Sequence, residues 1–193
     1  MMCVYKMNMM EEINLAGCCG IFCGLCTKYQ SKAPSRCIGC RLGEQHSWCS
    51  IYRCCVTKKG FTTCAECEEY PCERYSRRGW GTDQWSRTAQ ESLNSIAEIG
   101  MEDWLEKQRK RRLLVEDLLE NYNEGRSMSF YCLATILMPP ELINEAVDKL
   151  KKRLASNQLN RADMKAKAKT LREIIQGLAQ QRGIELRLRQ KGG

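Results

Sequence analysis

Cys19-Gly-Ile-Phe-Cys23-Gly-Leu-Cys26, Cys37-Ile-Gly-Cys40 and Cys64-Ala-Glu-Cys67-Glu-Glu-Tyr-Pro-Cys72 are the stretches on which the reading of this chain turns. Each holds a Cys-x-x-Cys pair, whose two intervening residues let a tight turn aim both sulfurs at one ion about 2.3 Å away. Thirteen of the fourteen cysteines lie in residues 1–72, and only Cys132 comes later. At 193 residues the chain is not a short disulfide-stapled scaffold. Met1 to Gly20 has no basic stretch followed by an apolar core, so no secretory signal is expected. The expectation is a cytoplasmic, cysteine-rich protein whose crowded thiols are ligands to metal. Ten cysteines form the expected ligand set: Cys19, Cys23, Cys26, Cys37, Cys40, Cys49, Cys54, Cys64, Cys67 and Cys72.

Ten thiolates suffice for two four-coordinate sites with two left over. A sequential arrangement uses Cys23, Cys26, Cys37 and Cys40 in one site and draws the other from Cys49, Cys54, Cys64, Cys67 and Cys72. An interleaved arrangement fits the spacing equally well. Cys18 and Cys55 each sit beside one of the ten and are able to substitute for it. Cys132, on an apolar stretch, reads as a small buried hydrophobe, and Cys3 as a bystander near the end of the chain.

Outward from these stretches, the composition divides the chain in three. Residues 1–16 form a short lead-in. Residues 17–80 are rich in Cys, Gly and turn formers and poor in apolar periods, so crosslinking by metal is expected to supply much of their stability. Residues 81–193 are a helical region. The expected fold is mainly α: a small irregular Cys-rich metal-binding module, zinc-knuckle-like, followed by a helical bundle, with no strand of any length. Gly79-Trp80-Gly81-Thr82 marks the boundary, with Thr82 as N-cap of a helix beginning near Asp83. Trp85, Ala89, Leu93 and Ile96 recur at helical spacing until Gly100 stops the run. A second amphipathic helix follows from Met101 to Tyr122, its basic run Lys107–Arg112 facing water. Phe130 to Met138 is apolar throughout and suits a short buried helix, stopped by Pro139-Pro140. Leu142, Ile143, Ala146, Val147, Leu150 and Leu154 then share a face. A last helix, from about Ala162 to Gln181, ends at Gly183.

The cysteine string and its surroundings resemble the family catalogued as domain of unknown function 3795. The residues that carry the resemblance are Cys19 to Cys26, Cys37-Ile-Gly-Cys40-Arg41, Cys49 with Arg53-Cys54, Lys59-Gly60, and Cys64 to Glu73. Ile99 to Leu105 resembles the family's following helix, and Tyr122 to Met138 an extension of some members. The resemblance is strong over Gly17 to Arg112 and weak beyond. It implies metal binding and leaves the activity open.

Zinc prefers closed sites of four thiolates built from paired knuckles, so two zinc ions are the expected cofactor. Cys19-x3-Cys23-x2-Cys26 also matches the spacing that holds the four-iron cluster of radical S-adenosylmethionine enzymes, but the chain lacks the alternating strands and helices of their barrel. A plain iron–sulfur cluster, in a redox or accessory protein of anaerobic metabolism, is the alternative. No catalytic constellation is visible. His46 is the only histidine and reads as a solvated loop residue, no Ser/His/Asp set exists, and no phosphate-binding loop occurs. Glu68, Glu69 and Glu73 read as a solvated turn.

The net charge of +8 is uneven: residues 149–193 hold 13 Lys and Arg against 3 Asp and Glu. Lys149, Lys151, Lys152, Arg153, Lys165, Lys167, Lys169 and Arg172, with Arg187, Arg189 and Lys191 on the tail, form a surface that an acidic protein or nucleic acid would fit. The same pattern is also that of an ordinary solvated face, and no aromatic residue follows Tyr131 to stack on bases. No membrane contact is expected, since no apolar run spans a bilayer. The expected role is a binding or adaptor protein with structural thiolate sites.

Overall fold

The computed structural model describes residues 12–44, 47–76, 84–156, 160 and 162–187, with residues 84–87 described by backbone alone. Cys3, His46, the Gly79–Thr82 boundary, the Thr82 cap, Arg189 and Lys191 lie outside the described residues. The described chain is mainly helical and holds no strand; its one strand-like feature is an isolated antiparallel bridge between Ala16 and Phe22. No helix among the described residues is long and apolar enough to cross a membrane. The chain divides into two compact units, residues 12–109 and 110–187.

The first unit begins with short pieces, as expected where Cys and Gly spacing gives no 3.6-residue apolar period. A 3-10 turn at Cys23–Leu25 leads into α1 (Thr27–Gln30). Helix α2 (Ser50–Tyr52) runs on into a π-helical turn at Arg53–Lys58. A second 3-10 turn at Cys64–Glu66 precedes α3 (Glu73–Ser76). Two longer helices follow, α4 (Gln84–Ile99) and α5 (Met101–Tyr122), separated by Gly100 at φ +83°, a conformation that ends a helix and suits glycine. Ala89, Leu93 and Ile96 bury one face of α4, which meets the second 3-10 turn. Trp104 of α5 is buried edge-on against Phe22, ring centroids 5.8 Å apart, a contact worth about 1 kcal/mol beyond the area it buries.

Gly20 shows how closely the loop of residues 15–23 lies on α4. Its φ is +91°, and a Cβ there would collide with the Ala89 carbonyl oxygen and stand 2.9 Å from Leu93 Cγ.

The second unit contains the remainder of α5 with α6 (Met128–Leu137), α7 (Pro140–Ala155) and α8 (Met164–Gln181). Pro140 occupies the first turn of α7, where its missing N–H costs nothing, and Asp163 caps α8 by accepting from the Ala166 N–H at 2.9 Å. Leu142, Ile143, Ala146, Val147 and Leu150 of α7, with Ala168, Leu171, Ile175 and Leu178 of α8, form the apolar core. Cys132 is buried on α6, as its apolar surroundings suggested.

The basic run Lys107–Arg112 does not all face water. Lys107 and Lys110 are exposed, but Arg112 is buried and ion-paired with Glu116 at 2.8 Å. Arg111 donates through Nη1 to the carbonyl oxygens of Thr135 and Met138 at 2.6 and 2.8 Å. These carbonyls lie at the C-terminus of α6, where four acceptors lack helical partners and the helix dipole favours a cation.

Replacing Gly20 by Ala is expected to destabilise the first unit by about 2 kcal/mol through the collision with α4 and the strained φ. Urea unfolding followed by Trp fluorescence checks this, and a midpoint equal to that of the parent chain would refute it.

Candidate functional site

The Cys-x-x-Cys turns at Cys23–Cys26 and Cys64–Cys67 have the same local structure. Each starts from an extended residue, Phe22 or Thr63, makes one 3-10 turn, and closes when the N–H of the second cysteine donates to the carbonyl of the first, at 2.9 and 3.2 Å. At the second turn the Glu66 carboxylate also accepts from the Thr63 N–H at 2.8 Å. Cys37-Ile-Gly-Cys40 turns differently, through Gly39 at φ +100°.

Backbone N–H groups repeatedly point at sulfur. Gly39 N donates to Cys37 Sγ at 3.4 Å and Tyr52 N to Cys49 Sγ at 3.5 Å. Ile21 N–H donates to the Cys19 sulfur and Cys40 N–H to that of Cys23. Lys59 Nζ stands 3.2 Å from Cys67 Sγ and 3.0 Å from the Glu69 carboxylate, which together raise the lysine's pKa, Glu69 more than Cys67. Such donors stabilise the thiolate over the thiol.

Two groups of sulfurs come together. The Cys23 thiol donates to Cys40, which with burial pushes the Cys23 pKa well up. The thiols of Cys18 and Cys64 both donate to Cys55. That lowers Cys55 to about 4 and raises both donors, and the positive charges of Arg41 and Lys59 add to the lowering. Burial, opposed by the Ile21 N–H and helped by the sulfurs of Cys40 and Cys49, pushes Cys19 up to about 12. Cys54, Cys55, Cys64, Cys67 and Cys72 line one cavity of about 30 Å³ beside Lys59 and Tyr70. Among the described residues no three Cys, His, Asp or Glu side chains converge as a ready-made ion-binding group, and no disulfide joins the cysteines. The sulfurs meet instead as the pair Cys23–Cys40 and the chain Cys18–Cys55–Cys64.

Of the ten cysteines expected as ligands, the structure thus joins Cys23 with Cys40 and gathers Cys54, Cys64, Cys67 and Cys72 around the cavity. Cys26 and Cys37 are half-buried and enter neither group. Glu68, Glu69 and Glu73 are exposed. Cys18 and Cys55, which the sequence offered as substitutes for the pattern cysteines beside them, are both buried here among the sulfurs. Two scaffold residues escaped sequence reasoning. The Arg41 guanidinium donates to the carbonyls of Ala16, at 2.8 Å through Nε, and of Thr62. Buried Tyr75 donates its hydroxyl to the Cys19 carbonyl at 3.0 Å. A donor set dominated by sulfur, receiving N–H bonds and flanked by cations, fits a soft or borderline metal such as zinc or an iron–sulfur cluster.

Residues 15–77 match the family described as Protein of unknown function (DUF3795), as the cysteine string suggested; the match ends before the helix Ile99 to Leu105 to which the resemblance extended. No curated protein and no solved structure matches the chain.

Arg41→Ala is expected to cost about 2 kcal/mol, since it leaves two partly buried carbonyls without their charged donor. Arg41→Lys should not restore the loss, because one ammonium lacks the fork that reaches both. Thermal unfolding of the three proteins checks this; full recovery in the Lys variant would show that charge alone matters.

Proposed function

With residues 15–77 belonging to this cysteine-rich family, we propose that the segment is a zinc-knuckle-like structural module holding two zinc ions, in a cytoplasmic binding or adaptor protein. The observation that carries this reading is the gathering of sulfurs from distant parts of the chain, with backbone N–H groups aimed at four of them. Like charges on neighbouring sulfurs repel, so several can be thiolates together only when a cation offsets their charge. Zinc supplies that charge and crosslinks the loops, without redox chemistry of its own. A reducing compartment, which keeps unbridged thiols reduced, suits the same reading.

A second observation bears on the partner. Lys151, Lys152 and Arg153 are consecutive and exposed near the end of α7, and Lys165 is exposed near the start of α8. Lys149 and Lys169, by contrast, are engaged with Glu145 and Glu173. An acidic protein or nucleic acid is the partner this surface fits. Binding to a polyanion is expected to weaken steeply between low and physiological salt in a mobility-shift titration. No shift at low salt would remove nucleic acid as the partner.

The primary test is metal content by mass spectrometry, with a visible spectrum, on protein purified anaerobically without a metal-affinity tag. About two zinc ions per chain and no visible absorbance are expected. Iron with matching sulfide would replace this reading with the iron–sulfur one, and metal-free folded protein would end both. Chelation of the zinc protein should expose residues 17–80 to proteolysis while most helical circular dichroism survives. Unchanged proteolysis after complete metal removal would refute the structural role.

A further inference from the structure

The cysteine spacing leaves sequential and interleaved site arrangements equal, and the backbone separates them. Cys64 N donates to the Cys18 carbonyl at 2.9 Å, which brings the second Cys-x-x-Cys turn beside Cys18 rather than beside its chain neighbours. Phe61 N donates to the Cys55 carbonyl at 2.9 Å, so the end of the π-helical turn closes on the strand of chain that enters Cys64. These two bonds bring Cys18, Cys55 and Cys64 together; the Cys55 thiol also donates to the Phe61 carbonyl at 3.7 Å, and Cys55 and Cys64 line the same cavity. Cys23 is instead joined to Cys40 by both its thiol and the Cys40 N–H. Cys19 lies between the two groups, within electrostatic reach of Cys40 and Cys49 on one side and of Cys18 and Cys64 on the other.

We propose that Cys18 and Cys55, the two cysteines of this segment outside the family pattern, are metal ligands, and that the sites interleave. Cys18, Cys55 and Cys64 supply one site, completed by another cysteine of the cavity that Cys55 and Cys64 line, and Cys23 and Cys40 belong to the other. This rests on the metal-binding reading above. A divalent cation that binds these thiols displaces their protons to solvent. Arg41, fixed by the Ala16 and Thr62 carbonyls, adds a permanent positive charge beside the group.

The test is zinc stoichiometry in full-length serine variants, read by native mass spectrometry. Cys18→Ser and Cys55→Ser should each lower zinc from about two ions per chain to about one, and the double variant should stay at one, because both changes strike the same site. Cys18→Ser combined with Cys23→Ser should hold none. Should a variant fail to fold, pulse alkylation of the parent chain during stepwise zinc removal by a chelator reads the grouping directly. Cys18, Cys55 and Cys64 should become reactive together, and Cys23 and Cys40 together in a separate phase. Two zinc ions retained in both single variants, or Cys18 released in step with Cys23, would overturn the proposal while leaving metal binding intact. A parent chain without metal would instead defeat the reading on which it rests.

Discussion

The carbonyl oxygens of five consecutive residues, Leu15 to Cys19, are each claimed by a donor, and three of the donors come from far along the chain. Cys23 N takes that of Leu15, Arg41 Nε that of Ala16, Gly20 N that of Gly17, Cys64 N that of Cys18, and the Tyr75 hydroxyl that of Cys19. A loop buried this thoroughly must satisfy its backbone acceptors or forfeit about 1 to 3 kcal/mol for each one left bare. Satisfying them forces segments 60 residues apart in sequence, roughly, onto one short stretch. The apolar contacts of Phe22 with Trp104 and the seating of Gly20 against α4 depend on this stretch being held in place.

The same bonds have an electrostatic consequence. Each segment that docks on the loop carries cysteines, so the backbone pattern concentrates sulfur whether or not the sulfurs attract. Left as thiols they share protons in pairs. Left as thiolates they repel, and Arg41 and Lys59 stand near enough to Cys55 to offset part of the charge. The module is therefore built around an unbalanced group, unlike the second unit, where polar groups are internal details of a core of Leu, Ile and Ala.

Much of the helical part was legible in the sequence for a plain reason: the period of 3.6 is written in residue type. Ala89, Leu93 and Ile96, or Leu171, Ile175 and Leu178, declare a face, and Gly100, Pro140 and Gly183 declare ends. Arg111 and Arg112 were not legible. A run of cations on a helix looks like a solvated face until the neighbouring helix presents unpaired carbonyls to it. In the cysteine segment the spacing identifies tight turns, and two of the three Cys-x-x-Cys pairs do form matching 3-10 turns. Spacing holds no information about which turns face each other. That depends on side-chain and backbone bonds over long separations, such as Arg41 to Thr62 and Cys64 to Cys18, which leave no periodic trace.

The placement of Trp104 beneath Phe22 gives the chain an optical property. All four tryptophans, Trp48, Trp80, Trp85 and Trp104, precede residue 110, so the second unit has none. Emission from the indoles reports the first unit alone, while peptide-bond dichroism includes the long helices of both. Of the indoles, Trp104 is almost wholly buried and Trp48 is 80% exposed. Tryptophan emission thereby follows the first unit, and dichroism the two units together.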